Sequence, residues 1–332
     1  MSRPAAVFEA IRDEAQTVVI GNEAVLEGLT IALLTDGNVL LEGVPGVAKT
    51  TIANVFARAT GLEYRRIQMT PDMLPADITG TTIYRQATGE FELQRGPVFA
   101  NVVVADEINR ATPKSQSALL EAMEEQTVTI DGETLSLPAP FMVVATQNPL
   151  EMEGVFELPE AQRDRFQLKY VIELPDADVE RELIDRVDGG AELEAATIEQ
   201  VVTEDELHAA SEAIDDVYIA PAVKDYILEL VDVTRQTEQL RHGGSPRATL
   251  AFLQAAKARA AIRDRTYVIP DDVKALAFPV LRHRVIRSTD AELAEQSRAE
   301  ILTELLDSVT PPGAGDEPDV QFTEADTSTD TA

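Results

Sequence analysis

The stretch Leu41-Glu42-Gly43-Val44-Pro45-Gly46-Val47-Ala48-Lys49-Thr50-Thr51 constrains this chain more than any other. An apolar run, Val39-Leu40-Leu41, precedes it and reads as a buried strand. Ile52, Val55, Phe56 and Ala59 follow at the spacing of an amphipathic helix. Strand, glycine-rich turn, Lys-Thr and helix is the context a phosphate-binding loop requires. Backbone N–H groups of such a loop point inward, and the new helix adds the positive end of its dipole. Gly43, Val44, Pro45, Gly46, Val47, Ala48, Lys49, Thr50 and Thr51 are therefore expected to cradle phosphates. Lys49 would reach the β- and γ-phosphates, and Thr50 would offer its hydroxyl to Mg²⁺. Ala48 stands where the pattern G-x-x-x-x-G-K-[ST] has its second glycine, and is small enough for the loop to close.

Val102-Val103-Val104-Ala105-Asp106-Glu107 is a β-branched run ending in two carboxylates. It reads as a buried strand delivering acids to its C-terminal edge, where open α/β sheets bind ligands. Asp106 is expected in the Mg²⁺ shell and Glu107 as the group that polarises an attacking water. Paired acids could also merely cap a following helix. The phosphate loop upstream favours the first reading, a nucleotide hydrolase using Mg²⁺.

At 332 residues, 44% of them hydrophobic, the chain can hold two domains with sizeable cores. Zero Cys excludes disulfides and thiolate metal sites, and the three His show no ligand spacing. No apolar run approaches the ~20 residues of a membrane helix, and the N-terminus lacks a secretory core. No membrane insertion and a cytoplasmic location are expected. With 59 acids against 28 bases the net charge is −31. Such a surface argues against nucleic-acid binding. An acidic partner-binding tail and adaptation to high salt both fit this charge, and its even spread favours the halophilic reading.

Along the chain, residues 5–17 carry Val7, Phe8, Ile11 and Ala15 at helical spacing, and Asn22 is expected to cap a second helix reaching Thr35. Val19 and Ile20 suit either an adenine pocket or ordinary core. Tyr64 to Gln68 reads as a strand. Thr81 to Tyr84 and Glu90 to Leu93 flank Thr88-Gly89 as a hairpin inserted into a βαβ unit. Thr112-Pro113 opens a helix to Glu125. Asp131-Gly132 joins a second hairpin in a type I′ turn. Phe141 to Ala145 is a buried strand ending in Thr146-Gln147-Asn148-Pro149, which sets a polar amide at the sheet edge or forms a simple turn.

In this order GVPGVAKT, VVVADEINRATPKSQSALLEAMEE, ATQNP, LPEAQRDRF and GGSPRATL resemble the MoxR family of AAA+ ATPases, over residues 5–310. The resemblance implies an α/β AAA+ P-loop domain with a parallel sheet and two insert hairpins over 1–175, followed by an all-α lid. It also implies a ring-shaped homo-oligomer, often a hexamer. It makes Asn148 the residue that orients the lytic water, Arg165 a finger reaching a neighbour's γ-phosphate, and Arg247 the lid arginine that senses nucleotide. Arg163 is a second candidate finger. Clients of such relatives are often proteins with von Willebrand factor A domains.

Beside the resemblance, a surface salt bridge is an alternative for Arg165. Arg247 follows Ser245-Pro246, so it emerges at a helix N-terminus, where a cation is disfavoured unless an anion lies near. A phosphate would supply that anion. Helical periodicity dominates from Pro175 to Ser308, with a capping box at Thr203 and Glu206, and reads as a helical lid domain over 176–309. Residues 310–332 read as a disordered acidic tail. The expected function is Mg²⁺-dependent ATP hydrolysis that remodels partner proteins. A nucleotide-switched scaffold with little turnover and a DNA-acting motor are the alternatives.

Overall fold

The computed structural model describes residues 3–87, 89–149, 155–190 and 193–313. Thr88 and the expected tail from residue 314 on lie outside them. The chain opens with α1 (Pro4–Ala15) and α2 (Glu23–Leu34), and the periodic residues Val7, Phe8, Ile11 and Ala15 of α1 are buried. Asn22 does not cap α2 through its side chain. Gly21 and Asn22 both have positive φ, 72° and 58°, whereas a side-chain cap needs an extended backbone.

The following segment runs β1 (Val39–Gly43), α3 (Lys49–Ala59), β2 (Tyr64–Gln68), α4 (Pro75–Thr79), β3 (Gly80–Arg85), β4 (Glu90–Arg95), β5 (Val102–Asp106), α5 (Pro113–Glu125), β6 (Thr127–Ile130), β7 (Glu133–Ser136), β8 (Met142–Gln147), α6 (Glu160–Arg163) and β9 (Leu168–Ile172). Five strands form a parallel sheet in the order β2-β5-β8-β1-β9. Both of its faces are covered, which is why its central strands read as unbroken apolar runs rather than alternating ones. Val39, Leu41, Val102 and Val104 pack with α1, α2 and α3 on one face. Leu40, Val103, Ala105 and Val143 pack with α5 on the other. The sheet gains an edge strand, β9, that the sequence reading did not include. Lys169 interrupts its apolar run, and that charge is tolerated because Glu42 accepts a hydrogen bond from Lys169 Nζ at 2.7 Å.

Both hairpins form as read. β3 pairs with β4 and β6 with β7, each antiparallel. Asp131 and Gly132 take φ of 50° and 87°, the two left-handed positions of a type I′ turn.

Helices then take over: α7 (Ala177–Asp188), α8 (Glu204–Asp215), α9 (Pro221–Gln236), β10 (Leu240–His242), α10 (Pro246–Ile262), α11 (Pro270–Leu281), β11 (Ile286–Arg287), α12 (Thr289–Leu293) and α13 (Arg298–Ser308). The capping box at Thr203 and Glu206 closes as expected, and a second forms at Ser297 and Glu300. The region is not purely helical, because β10 and β11 pair antiparallel. Strands of two and three residues are too short for alternation to reveal. The apolar core does not divide where strands give way to helices near Pro175. One buried cluster runs from α1 and α2 through the sheet to Phe252, Leu276 and Ile301.

Candidate functional site

The loop between β1 and α3 is tight for identifiable reasons. A Cβ on Gly43 would lie 2.5 Å from the Ile172 carbonyl oxygen on β9, so no larger residue fits there. Ala48 adopts φ +58°, the left-handed conformation a glycine would take freely, and its carbonyl accepts the first hydrogen bond of α3, from Ile52 at 2.8 Å. Lys49 is buried, and its ammonium donates to the carbonyls of Gly43 (2.6 Å) and Val44 (2.8 Å). Beside the loop lies a cavity of about 480 Å³. Gly46, Val47, Ala48 and Thr51 line one side of it, and Val19 and Ile20 another. Val19 is also buried in the core, while Ile20 is half-buried at the cavity wall.

β5 brings Asp106 to the same edge. Its carboxylate accepts hydrogen bonds from Thr50 Oγ1 (3.2 Å), from Thr146 Oγ1 (2.6 Å) and from Arg66 (2.6 and 3.1 Å). Burial pushes this carboxyl up, but the hydrogen bonds of Thr146 and Arg66, the Arg66 charge and Thr50 together hold it below the usual carboxylate range. Glu107 follows in a left-handed conformation, φ +57°, an arrangement that costs a non-glycine residue about 1–2 kcal/mol. Its backbone N–H donates to Thr146 Oγ1 (2.9 Å). Its carboxylate accepts from Gln68 (3.0 Å) and pairs with Arg110 (3.1 Å). The Thr50 hydroxyl and the Asp106 carboxylate are adjacent hard oxygen donors. They suit Mg²⁺, which binds through one or two carboxylates together with substrate phosphates.

Asn148, just past β8, is buried. It lines a second cavity with Gln147, Asn109 and Arg163. Loop, acids and Asn148 thus share the C-terminal edge of the sheet.

Arg165 and Arg247 lie elsewhere. Arg165 sits just before β9, at the N-terminal edge, and a five-residue strand separates the two edges by about 16 Å. Its guanidinium donates to the Leu120 carbonyl (3.0 Å) and pairs with Glu124 (2.9 Å) near the C-terminus of α5. Arg247 pairs with the other oxygen of the same carboxylate. The anion expected beside Arg247 is therefore Glu124, and both arginines line one cavity with Asn38, which precedes β1. Arg163, the rival to Arg165, faces the Asn148 cavity instead.

A joint between sheet and lid fixes this pair. Asp164 accepts from Arg284 Nε (2.8 Å) and from the hydroxyl of Ser245 (2.8 Å), which caps the helix bearing Arg247. His283 donates to the Phe166 carbonyl (2.8 Å). Burial lowers the Arg284 guanidinium to about 10 despite the charge and hydrogen bond of Asp164. Arg66, Thr146, Glu124 and Arg284 were not singled out from sequence. Thr146 and Glu124 stood inside quoted motifs, but Arg66 and Arg284 are ordinary charged residues whose carboxylate partners, Asp106 and Asp164, lie 40 or more positions away.

Comparison with known proteins agrees with this geometry. Residues 38–168 match the model of the ATPase family associated with various cellular activities (AAA), and residues 232–305 match the AAA lid domain. The chain is 44% identical over 308 residues to the chaperone MoxR1 of Mycobacterium tuberculosis, covering 90% of this chain and 81% of that protein. It is 42% identical over 295 residues to the protein YeaC of Bacillus subtilis, at 89% and 92% coverage. A crystal structure of a Cytophaga hutchinsonii protein assigned as an ATPase superposes with a TM-score of 0.85 at 39% identity, covering 93% of this chain and 96% of that one. With the α/β sheet, the loop and the helical lid in place, the chain belongs to the MoxR family of AAA+ ATPases.

Proposed function

We propose that this chain is a Mg²⁺-dependent ATPase that works as a ring, a hexamer by family analogy, and remodels client proteins. One observation carries the reading above all. The phosphate loop and acids lie at one edge of the sheet and the arginine pair at the other, which supports a site completed between two copies of the chain.

In this reading the loop amides and Lys49 hold the β- and γ-phosphates, and the cavity at Ile20 takes the adenine. Thr50 and Asp106 would hold Mg²⁺, which would supply positive charge to offset that of the phosphates. Asn148 orients water, and Glu107 accepts its proton as the new P–O bond forms and the bond to ADP breaks. Arg165 of the adjoining copy stabilises charge on the γ-phosphate, and Arg247 accompanies it. Its place beside Arg165, away from its own loop, favours sensing the neighbour's nucleotide. The name of the MoxR1 chaperone supports client remodelling, and a client with a von Willebrand factor A domain extends that by family analogy. The division into a nucleotide-binding domain over 1–175 and a lid over 176–309 belongs to the same proposal, as does action in the cytoplasm at high salt.

Glu107→Gln tests the chemistry. The amide keeps the shape but accepts no proton, so ATP should bind while steady-state turnover falls ~10²–10⁴-fold. Turnover near that of the wild type would remove Glu107 from the mechanism.

A further inference from the structure

Cations are scarce in this chain, 28 against 59 acids, yet three of them converge on one cavity. Arg163 from α6, Lys169 from β9 and Arg298 from the first turn of α13 line a space of about 250 Å³ beside Gln147 and Asn148. Two carboxylates, Glu42 and Glu157, share the lining, so the described walls carry more positive than negative charge. Glu42 is already engaged by Lys169 at 2.7 Å. The Nε atoms of Arg163 and Arg298 are buried and have no hydrogen-bond partner among the described residues. Arg298 also begins an eleven-residue helix, whose dipole adds positive potential at this end and disfavours a lone cation.

The electrostatics agree with the geometry. Burial, then the charges of Arg298 and Arg282, push the Lys169 ammonium down in spite of Glu42. Burial, then Arg163 and Arg287, push Arg298 down as well. Buried donors left unpaired among like charges mark a place where an anion is expected. Forked guanidinium groups match the oxygens of a tetrahedral oxyanion, and the cavity is far larger than one water requires. Its position narrows the ligand further. Glu42, at the end of β1, lies on the same face as Leu40, the face that packs against α5. The loop helix α3 packs on the opposite face, with Leu41. Asn148 borders the cavity, so an anion leaving the phosphate loop could pass around the ends of the strands to reach it.

We propose that Arg163, Lys169 and Arg298 form a holding site for a phosphate oxyanion, separate from the loop at Lys49. That orthophosphate cleaved from nucleotide is what fills it rests on the proposed hydrolysis; binding of the ion does not. The test is calorimetric titration of the full chain with inorganic phosphate at constant chloride. Wild type and Lys49→Ala should both bind it, and Arg163→Gln/Arg298→Gln should bind at least ten-fold more weakly. Arg298→Lys, which keeps the charge but loses the fork and is the milder change for folding, should fall between. Loss in Lys49→Ala alone would put the ion in the loop, and equal binding by every variant would mean an adventitious ion only. Either result overturns the proposal, as does no binding at tens of millimolar. A phosphate sensor in single-turnover hydrolysis separates the sources. A lag between cleavage and release that disappears in Arg298→Lys assigns the site to the product. An unchanged lag, with binding established, overturns the product route and leaves phosphate from solution.

Discussion

At the C-terminal edge of the sheet one carboxylate, Asp106, gathers Thr50, Thr146 and Arg66; at the N-terminal edge another, Glu124, gathers Arg165 and Arg247. Asp106 collects Arg66 and Thr146 from the strands on either side of β5, held in register by sheet hydrogen bonds, and Thr50 from the first turn of α3. Glu124 collects one arginine from the segment before β9 and one from the lid, held in register only by the joint at Asp164 and Arg284. The first edge is set by the sheet and the first turn of the helix packed on it. The second depends on how sheet and lid meet, so in the proposed ring a movement of the lid would change what a neighbouring copy encounters.

The largest effect that can break this comparison is loss of Arg165, the proposed finger. Arg165→Ala should bind ATP and hydrolyse it ~10³–10⁵-fold more slowly. Mixing it with Lys49→Ala, whose pocket is ruined but whose arginines are intact, should restore part of the activity. Arg163→Ala mixed in the same way should show no such pattern, because Arg163 faces the Asn148 cavity. With mixed assembly verified, a dead Arg165→Ala mixture would return the completed site to a single copy.

The joint is next. Arg284 is almost wholly buried against Asp164, and removing one member of a buried pair costs about 3–5 kcal/mol. Arg284→Ala should lower the denaturant midpoint by that measure, whereas a surface change such as Arg241→Ala should barely move it. An unaffected midpoint would show that sheet and lid are joined without this pair.

A smaller effect is expected at Glu124 itself. Glu124→Ala takes the shared carboxylate from both guanidinium groups and leaves Arg165 only its bond to the Leu120 carbonyl, so turnover should fall about ten-fold through lost positioning, on the order of 1–2 kcal/mol for a coupled pair. The same change in the Arg165→Ala background should cost much less. Losses that simply multiply would mean that Glu124 acts through helix α5 and not through the arginines.

The least dramatic is a pH effect at the joint. Burial, then the charges of Arg284, Lys169 and Arg163, hold His283 well below its ordinary value, outweighing its bond to Phe166. The unfolded chain takes up a proton below about pH 6.5 while the folded one does not. Stability should thus be full above that pH and decline as pH falls, by at most about 1.4 kcal/mol per unit. His283→Gln should flatten this limb of a melting-temperature profile, and a limb left unchanged would assign it to other groups.

Much of the first edge could be read from sequence because its signals are local. Val39 to Leu41 and Val102 to Ala105 are apolar runs that end directly in the residues they deliver, and Asp131-Gly132 carries its own turn geometry. β9 escaped because Lys169 breaks its run, and only its partner Glu42, 127 positions away, makes that charge tolerable. Asn22 misled because its residue type favours capping while its backbone took the left-handed turn.

By itself, then, the sequence determined the loop, the acid pair, the hairpins and the helical character of the second half, because each follows from periodicity or from turn chemistry within a few residues. Tertiary structure alone decided that Arg165 and Arg247 share Glu124, that Arg163 turns to the other edge, and that Arg66 completes the shell of Asp106. Ion pairs between exposed or half-buried side chains leave no periodic trace. Their partners are chosen by which strand ends and helix ends packing brings within a few ångströms.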